Sequence, residues 1–316
     1  MDYAVLLSEE HPELPLAELE ATLRADGIEF EIQEKEGKLV FLDGDEVEEV
    51  ADRLALSFEI SEVLHSFQPE NYQKLATKNL EAEEPFSVRT ARVDGTEAPE
   101  ELEENVGRMI DRNSDVDVDL ESPGEVFRAY LVNGEAHLSR LKADTDRGEF
   151  ESRKNQHRPF SSPVTLHPRL ARTLVNLSEV GRDGSLLDPF CGTGGILLEA
   201  GLIGCDLYGS DVQEEMVEGT RENLEAFNLE GDIREAEFSD AEAEFGRQFD
   251  AVVTDLPYGK ASVTEGDPTE EFVETAPELT DGKVVFMSDK EEIDGLEPEF
   301  EFYVHRSMTR YVYVME

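Results

Sequence analysis

Residues 250–259, Asp-Ala-Val-Val-Thr-Asp-Leu-Pro-Tyr-Gly, combine groups that could hold a flat ring carrying an exocyclic amine. The apolar residues predict a short buried strand, and the proline and glycine after it predict a turn. Asp255 can accept one N–H of the amine, and the Leu256 carbonyl can accept the other. Pro257 restricts the turn, and Tyr258 can stack on the ring. The alternative interpretation is a strand that ends in an ordinary proline turn.

These groups suit alkylation of the amine nitrogen. The nitrogen is a poor nucleophile because its lone pair is delocalised into the ring. Two acceptors on one side favour a pyramidal nitrogen whose lone pair points at an electrophile, which is catalysis by positioning and charge stabilisation.

A second chemical signal is the glycine-rich stretch Ser-Leu-Leu-Asp-Pro-Phe-Cys-Gly-Thr-Gly-Gly at 185–195. It predicts a buried strand, a turn whose backbone can approach a ligand closely, and a helix whose N-terminus adds a favourable dipole. A dinucleotide-binding fingerprint would need a third small residue where Leu197 stands, so a nicotinamide cofactor fits badly. Asp211 lies at the end of the next predicted strand and can bind both ribose hydroxyls. Asp240 follows the third strand and could accept from an adenine amino group.

The order Asp-Pro-Phe-Cys-Gly-Thr-Gly at 188–194 resembles motif I of methyltransferases that use S-adenosyl-L-methionine. The resemblance implies that Asp188 lies near the amino end of this cofactor. Cys191 lies inside the cofactor turn and is more typical of a packing residue than of a nucleophile, which disfavours methylation of a ring carbon. The cofactor-binding residues predicted in this way are Asp188, Pro189, Cys191, Gly192, Thr193, Gly194, Asp211, Val212 and Asp240.

The composition limits the class of protein. A length of 316 residues indicates about two domains. We expect a cytoplasmic protein, because apolar runs of membrane-spanning length are absent and the two cysteines form no metal-ligand pattern. The 75 acidic and 28 basic residues give a net charge of −47. This balance, spread along the whole chain, predicts a surface adapted to a salt-rich cytoplasm, as in a halophilic archaeon.

Two segments, 152–172 and 303–315, contain basic residues and no acidic ones. In so acidic a chain these gaps predict contact with an anion such as RNA, although burial and internal pairing are the alternative. Arginines on the predicted strands of residues 61–148 are further candidates. The predicted RNA-binding residues are Arg89, Arg140, Lys142, Arg153, Lys154, Arg158, Arg306 and Arg310.

The chain order predicts four regions. Residues 1–60 form a small α+β unit, and residues 61–148 form a second α/β unit in which Phe-x-Val-Arg, a helix and Val-Asp-Leu-x-x-Pro resemble a THUMP RNA-binding domain. A linker at 149–163 leads to the third α/β region at 164–316. Nearly the whole chain, with Asp-Leu-Pro-Tyr at 255–258, is similar to the archaeal THUMP-containing tRNA (guanine-10-N2)-methyltransferase and dimethyltransferase family.

That resemblance implies the fold class: an α/β protein with a seven-stranded Rossmann-like methyltransferase sheet, preceded by an α+β ferredoxin-like subdomain and THUMP. It also implies an enzyme that methylates the N2 amine of a tRNA guanosine, once or twice, with Asp255, Leu256, Pro257 and Tyr258 as catalytic residues and without a metal. A small zinc-binding activator protein is an implied partner. Leu256 stands where the family has its first proline, so a fixed φ is lost and an extra N–H needs a partner.

Other functions remain open at this point. Another amino-methyltransferase, acting on a different tRNA guanosine, a DNA base or a protein glutamine, would share the Asp255 motif. It would be favoured if the first 150 residues were dispensable for substrate binding. A non-catalytic RNA-binding protein would lack affinity for S-adenosyl-L-methionine, and a dehydrogenase would bind a nicotinamide nucleotide instead.

Overall fold

The computed structural model describes residues 1–162, 165–257, 268–305 and 308–316, with the backbone alone at 304, 305 and 308. The chain forms two compact units. The first comprises residues 1–9, 28–51 and 57–145, and the second comprises residues 10–27, 52–56 and 146–316. The site-bearing residues of the 185–259 region all belong to the second unit.

The strands and α-helices are numbered along the chain. The strands are β1 (Asp2–Leu7), β2 (Phe30–Glu36), β3 (Leu39–Gly44), β4 (Ser57–Phe67), β5 (Phe86–Arg92), β6 (Glu125–Val132), β7 (Glu135–Asp144), β8 (Ser185–Asp188), β9 (Asp206–Asp211), β10 (Gly231–Glu235), β11 (Phe249–Asp255), β12 (Thr280–Ser288), β13 (Phe300–His305) and β14 (Met308–Met315). The helices are α1 (Leu14–Ala25), α2 (Leu102–Asp111), α3 (Arg147–Ser152), α4 (Pro168–Leu177), α5 (Gly195–Leu202), α6 (Glu214–Ala226), α7 (Ala241–Phe245) and α8 (Pro268–Thr275).

The first unit contains a seven-stranded sheet in the order β2-β3-β1-β4-β7-β6-β5. Its neighbouring strands are antiparallel except for the parallel pair β5 and β6. Helix α2 places Leu102, Val106 and Ile110 at helical spacing in a buried cluster with Phe86 and Phe127 of the sheet. The boundary predicted after residue 60 falls inside β4, so strands of the two predicted N-terminal regions share one sheet.

The second unit contains the predicted seven-stranded methyltransferase-like sheet, in the order β10-β9-β8-β11-β12-β14-β13. The first five of these strands are parallel, and β14 runs antiparallel to both of its neighbours. Because β8 and β11 are neighbours although β9 and β10 lie between them in sequence, their carboxyl ends meet where the strand order reverses. Ligands of open α/β sheets bind at such a position.

Helix α1 belongs to the second unit rather than to the sheet that surrounds it in sequence. Its buried Glu18 accepts hydrogen bonds from the backbone N–H of Leu56 at 2.8 Å and from Asn176 Nδ2 of α4 at 2.9 Å. Thr173 Oγ1 and the Ala55 N–H also donate to Glu18. A buried carboxylate requires such partners, so Glu18 fixes α1 against α4. Across the described ranges, the helices are too short or too polar to cross a lipid bilayer.

Candidate active site

The glycine-rich turn between β8 and α5 has the open backbone that its sequence predicts. Gly192 and Gly194 have φ angles of 51° and 74°, in the region where only glycine avoids a steric penalty. A Cβ added to Gly194 would lie 2.8 Å from Thr220 Cγ2, so α6 packs directly against the turn. A Cβ added to Gly192 would come no closer than 3.9 Å to its nearest neighbour, the Phe190 carbonyl oxygen. The Gly192 side of the turn therefore has room for a ligand.

Asp188 is buried at the tip of β8. Its Oδ1 accepts hydrogen bonds from Thr254 Oγ1 at 2.6 Å and from the Phe190 N–H at 3.2 Å. Burial raises the pKa of Asp188 to about 7; these hydrogen bonds oppose the rise, and the charges of Asp255 and Asp211 add to it. The carboxyl group is therefore positioned to interact with a cationic ligand group that would compensate its burial.

Asp211 ends β9 beside the same turn. Its Oδ2 accepts from the Gly192 N–H at 3.1 Å, and its Oδ1 accepts from the Gln213 N–H at 2.9 Å. Each oxygen retains a lone pair for a further donor. Burial raises the pKa of Asp211, and the backbone bonds oppose that rise. Val212, the next residue, is half-buried.

The remaining predicted cofactor residues fall into two groups. Pro189, Cys191 and Thr193 are buried parts of the turn, whereas Asp240 is exposed directly before α7. Burial raises the pKa of the Cys191 thiol well above its usual value, so the thiol stays protonated and lacks the reactivity of a thiolate. This state agrees with a packing role for Cys191. The Thr193 carbonyl accepts from Asn223 Nδ2 at 2.9 Å, which ties the turn to α6.

The motif at the tip of β11 continues from the sheet into the turn. Asp255 pairs with Met287 of β12, and Leu256 follows with its side chain buried. The Leu256 N–H donates to the Met287 carbonyl at 2.9 Å. The extra N–H created by leucine in place of proline therefore has a partner, and the bond fixes the peptide next to the predicted acceptor carbonyl. Pro257 is half-buried, and Tyr258 lies outside the described residues.

Arg310 occupies a different place from the one predicted. Its side chain is 3% exposed and forms an ion pair with Asp255 Oδ1. This burial and pairing argue against the predicted contact of Arg310 with RNA, because a guanidinium so enclosed does not present itself to a phosphate. Burial raises the pKa of Asp255 to about 6, Arg310 opposes the rise, and Asp289 adds to it.

Burial also argues against the predicted RNA contacts of Arg153 and Arg158. Arg153 Nε lies 2.9 Å from Oε1 of the fully buried Glu199 on α5, and Arg172 approaches the other oxygen at 3.0 Å. Arg158 donates from Nε to the Arg153 carbonyl at 2.8 Å. Arg153 and Arg172 of the acid-free segment thus pair with an acid from another part of the chain, whereas Arg158 bonds to the backbone of its own segment.

The other predicted RNA-binding residues lie at more accessible positions. Arg89 is half-buried and donates to the Leu120 carbonyl at 3.0 Å, whereas Arg140 pairs with Glu125 at 2.5 Å. Lys142 pairs with Glu48 at 3.3 Å, and Lys154 pairs with Glu151 at 2.5 Å. About a third of each lysine side chain is exposed, which leaves RNA contact by Lys142 and Lys154 as a prediction. Arg306 lies outside the described residues.

Three residues that the sequence analysis overlooked support the site. Thr254 binds Asp188, Thr220 Oγ1 donates to the Gly192 carbonyl at 2.8 Å, and Asn223 Nδ2 bonds the Thr193 carbonyl. Of these three residues, only Thr254 could have been noticed from the local sequence, because it is a polar residue within the apolar run of β11. Among the described residues, no group of three or more His, Cys, Asp or Glu side chains is arranged to hold a metal ion.

Comparison with known proteins identifies clear relatives. Residues 155–293 match the RMKL-like, methyltransferase domain family. The tRNA (guanine(10)-N2)-dimethyltransferase of Methanothermobacter thermautotrophicus is 35% identical over 100% of this chain and 99% of its own length. The protein of the same name from Pyrococcus abyssi is 34% identical over 95% of this chain and 96% of its own. The crystal structure of TrmN from Thermus thermophilus has a TM-score of 0.54 at 22% identity, covering 99% of both chains, and thus shares the fold.

Proposed function

Since the chain belongs to the tRNA (guanine(10)-N2)-dimethyltransferase family, we propose that it methylates the N2 amine of guanosine 10 in tRNA, using S-adenosyl-L-methionine. The observation that carries this proposal is the placement of Asp255 and Leu256 at the tip of β11, directly beside β8, whose own tip enters the glycine-rich turn. A methyl donor in that turn and an amine at Asp255 would lie at neighbouring strand ends.

The residues around the turn fit the proposed cofactor. The open side of Gly192 admits close backbone approach, and the buried Asp188 carboxyl suits a cationic amino group. Asp211 has the geometry of a ribose-binding acid, because its position is fixed by two backbone N–H groups while its oxygens can accept further bonds. When bound, S-adenosyl-L-methionine supplies an electrophilic methyl carbon on a sulfonium.

In the proposed mechanism, two groups of the chain hold the amine. The Asp255 carboxylate accepts one N–H, and the Leu256 carbonyl accepts the other. The bond from the Leu256 N–H to Met287 keeps the peptide in place, so the two acceptors are oriented before the base arrives. As the amine nitrogen bonds to the methyl carbon, the bond from that carbon to sulfur would break and leave a neutral thioether. The nitrogen would gain positive charge, which Asp255 stabilises, and it would then lose one N–H proton to the Asp255 carboxylate. Tyr258 stacks on the guanine in this proposal.

A guanine paired in a stem does not expose its amine to these acceptors. The base must therefore leave the stack, at a cost of about a few kcal/mol. We assign part of the tRNA binding that offsets this cost to residues 61–148 as a THUMP region, with Lys142 as a candidate contact. In the salt-rich cytoplasm that the net charge of −47 suggests, phosphate contacts are weakened, so shape and stacking carry more of the binding. A small zinc-binding activator protein completes the proposed assembly.

The proposal is tested with Asp255→Asn and purified tRNA transcripts. The variant keeps the shape of the side chain and loses its charge, so we expect a fall in kcat of about 10²-fold or more with S-adenosyl-L-methionine affinity little changed. Asp289→Asn is the matched control, since Asp289 is exposed near Asp255 and outside the proposed acceptor pair. Mass spectrometry of nucleosides from transcripts with guanosine or adenosine at position 10 reports the target. Wild-type turnover by Asp255→Asn, or equal methylation of both transcripts, would contradict the proposal.

A further inference from the structure

Arg310 reaches Asp255 across an intervening strand. Asp255, Met287 and Val312 are aligned partners on β11, β12 and β14. Arg310 lies two residues before Val312 on β14, so its side chain emerges on the same face of the sheet as Asp255. The ion pair forms at the carboxyl end of β11, where the proposed amine site lies. The sheet register, rather than a flexible loop, therefore brings this guanidinium to the carboxylate.

The ion pair engages one of the two oxygens of Asp255. Arg310 Nη2 contacts Oδ1. A planar guanidinium with a fixed set of donors restricts the rotation of a carboxylate more than a single mobile donor does. We infer that Arg310 is a positioning residue that keeps Asp255 Oδ1 engaged and so turns Oδ2 toward the substrate amine. This inference rests on the proposed function of Asp255.

The charges around Asp255 give Arg310 a second effect. Asp289, after β12, and Asp188, at the tip of β8, both interact unfavourably with an ionised Asp255, and burial acts in the same direction. Arg310 on β14 is the cation that opposes them. The ionised carboxylate is the stronger acceptor for the amine N–H. Loss of Arg310 therefore weakens the site in two ways, because it loosens the carboxylate and raises the pKa of Asp255.

The competing role for Arg310 is a direct contact with tRNA phosphate. The 3% exposure of its side chain and its engagement by Asp255 argue against that role. The two roles predict different kinetics. A phosphate contact affects tRNA affinity and reduces the slope of its salt dependence by about one. A positioning residue affects kcat and the pH profile instead.

The test measures kcat, the KM for tRNA and the pH dependence of single-turnover methylation in Arg310→Met and Arg310→Lys. We expect Arg310→Met to lower kcat about tenfold or more at pH 7. The acidic limb of its pH–rate profile should move up by about one pH unit or more, so that kcat partly recovers at higher pH. Arg310→Lys retains the charge, so its acidic limb should stay near that of the wild type while kcat falls. The KM for tRNA should change less than about twofold in both. Arg221→Met, which removes the same charge at an exposed position of α6, is the control.

Three outcomes are decisive. A raised KM for tRNA with an unmoved pH profile would overturn the inference in favour of phosphate contact, and unchanged kinetics would overturn it outright. If Arg310→Met does not fold, Arg310→Lys still tests the inference, because a positioning role for Arg310 requires the kcat of the lysine variant to fall. The wild type is assayed first on guanosine-10 tRNA. Absence of methylation there refutes the proposed function, whereas active wild type with unaffected variants refutes only the role of Arg310.

Discussion

Leu256→Pro introduces a proline directly after Asp255, and we predict that it destabilises this protein. The Leu256 N–H donates to the Met287 carbonyl at 2.9 Å, and proline cannot make that bond. The leucine side chain is 1% exposed and packs in a cluster with Phe272, Phe286 and Tyr313. Proline is shorter, so the substitution also removes buried packing.

The magnitude follows from three contributions. Leaving the Met287 carbonyl without its donor costs about 1–3 kcal/mol. Loss of roughly one buried methylene costs about 1 kcal/mol. The reduced freedom of the unfolded chain returns about 0.4–1 kcal/mol. The net destabilisation is about 2 kcal/mol, which corresponds to a fall in Tm of about 4–8 °C for a domain of this size.

The assay is thermal unfolding followed by circular dichroism, with Leu256→Met as the matched control. Methionine keeps the N–H and nearly the same volume, so it should lie within about 1.5 kcal/mol of the wild type. Well below its Tm, Leu256→Pro should retain a kcat within about tenfold of the wild type, because the accepting carbonyl is still present. A Tm for Leu256→Pro at or above that of Leu256→Met would refute a stabilising role for the N–H.

Three further variants test the supports of the site and of the second unit. Gly194→Ala should have a lower Tm than Gly204→Ala and should bind S-adenosyl-L-methionine more weakly in calorimetry. Both glycines have a positive φ, but only a Cβ added at position 194 meets a neighbour, Thr220 Cγ2 at 2.8 Å. Glu18→Ala should lower the unfolding free energy by at least about 3 kcal/mol in denaturant titration, since it leaves several buried donors without an acceptor. Asp188 has a pKa raised from 3.8 to about 7, so its stabilising contribution is complete below pH 3.8 and is lost as the pH rises through 7. Asp188→Asn should therefore flatten the fall in Tm of the apo protein between about pH 4 and pH 7.

The parts of this protein that were predictable from sequence are those set by local pattern. The strand, glycine turn and helix at 185–203 follow from a buried apolar run that meets glycines, and the structure confirms them. The parallel sheet likewise follows from alternating strand and helix patterns. The placement of α1 was not predictable, because an amphipathic helix carries no mark of the sheet it will pack on. Its contacts in the folded chain assign it to the second unit, among them those of Glu18 with Leu56 and Asn176 and the packing of Leu14 in the core cluster with Leu174.

Pairings between distant residues were beyond the local pattern as well. No spacing rule links Asp255 to Arg310 or Glu199 to Arg153, because their proximity depends on sheet order and helix packing. The partner of the Leu256 N–H is a carbonyl on β12, and backbone acceptors leave no signature in side-chain sequence. Sequence reasoning proposed the reacting groups but not the residues that hold them.

The acid-free segments show that a basic stretch in an acidic chain can indicate either a surface that binds an anion or a set of buried ion pairs. A surface charge of one sign is screened by salt, so replacing acid with arginine on the surface does little for structure in a salt-rich solvent. An arginine inside the protein is shielded from that salt, and its fixed fork can orient a carboxylate there. Arg153 and Arg172 do so for Glu199, and Arg310 does so for Asp255. Both acid-free segments of this chain therefore contain buried ion pairs, and burial rather than charge distinguishes such a pair from a surface that could bind RNA.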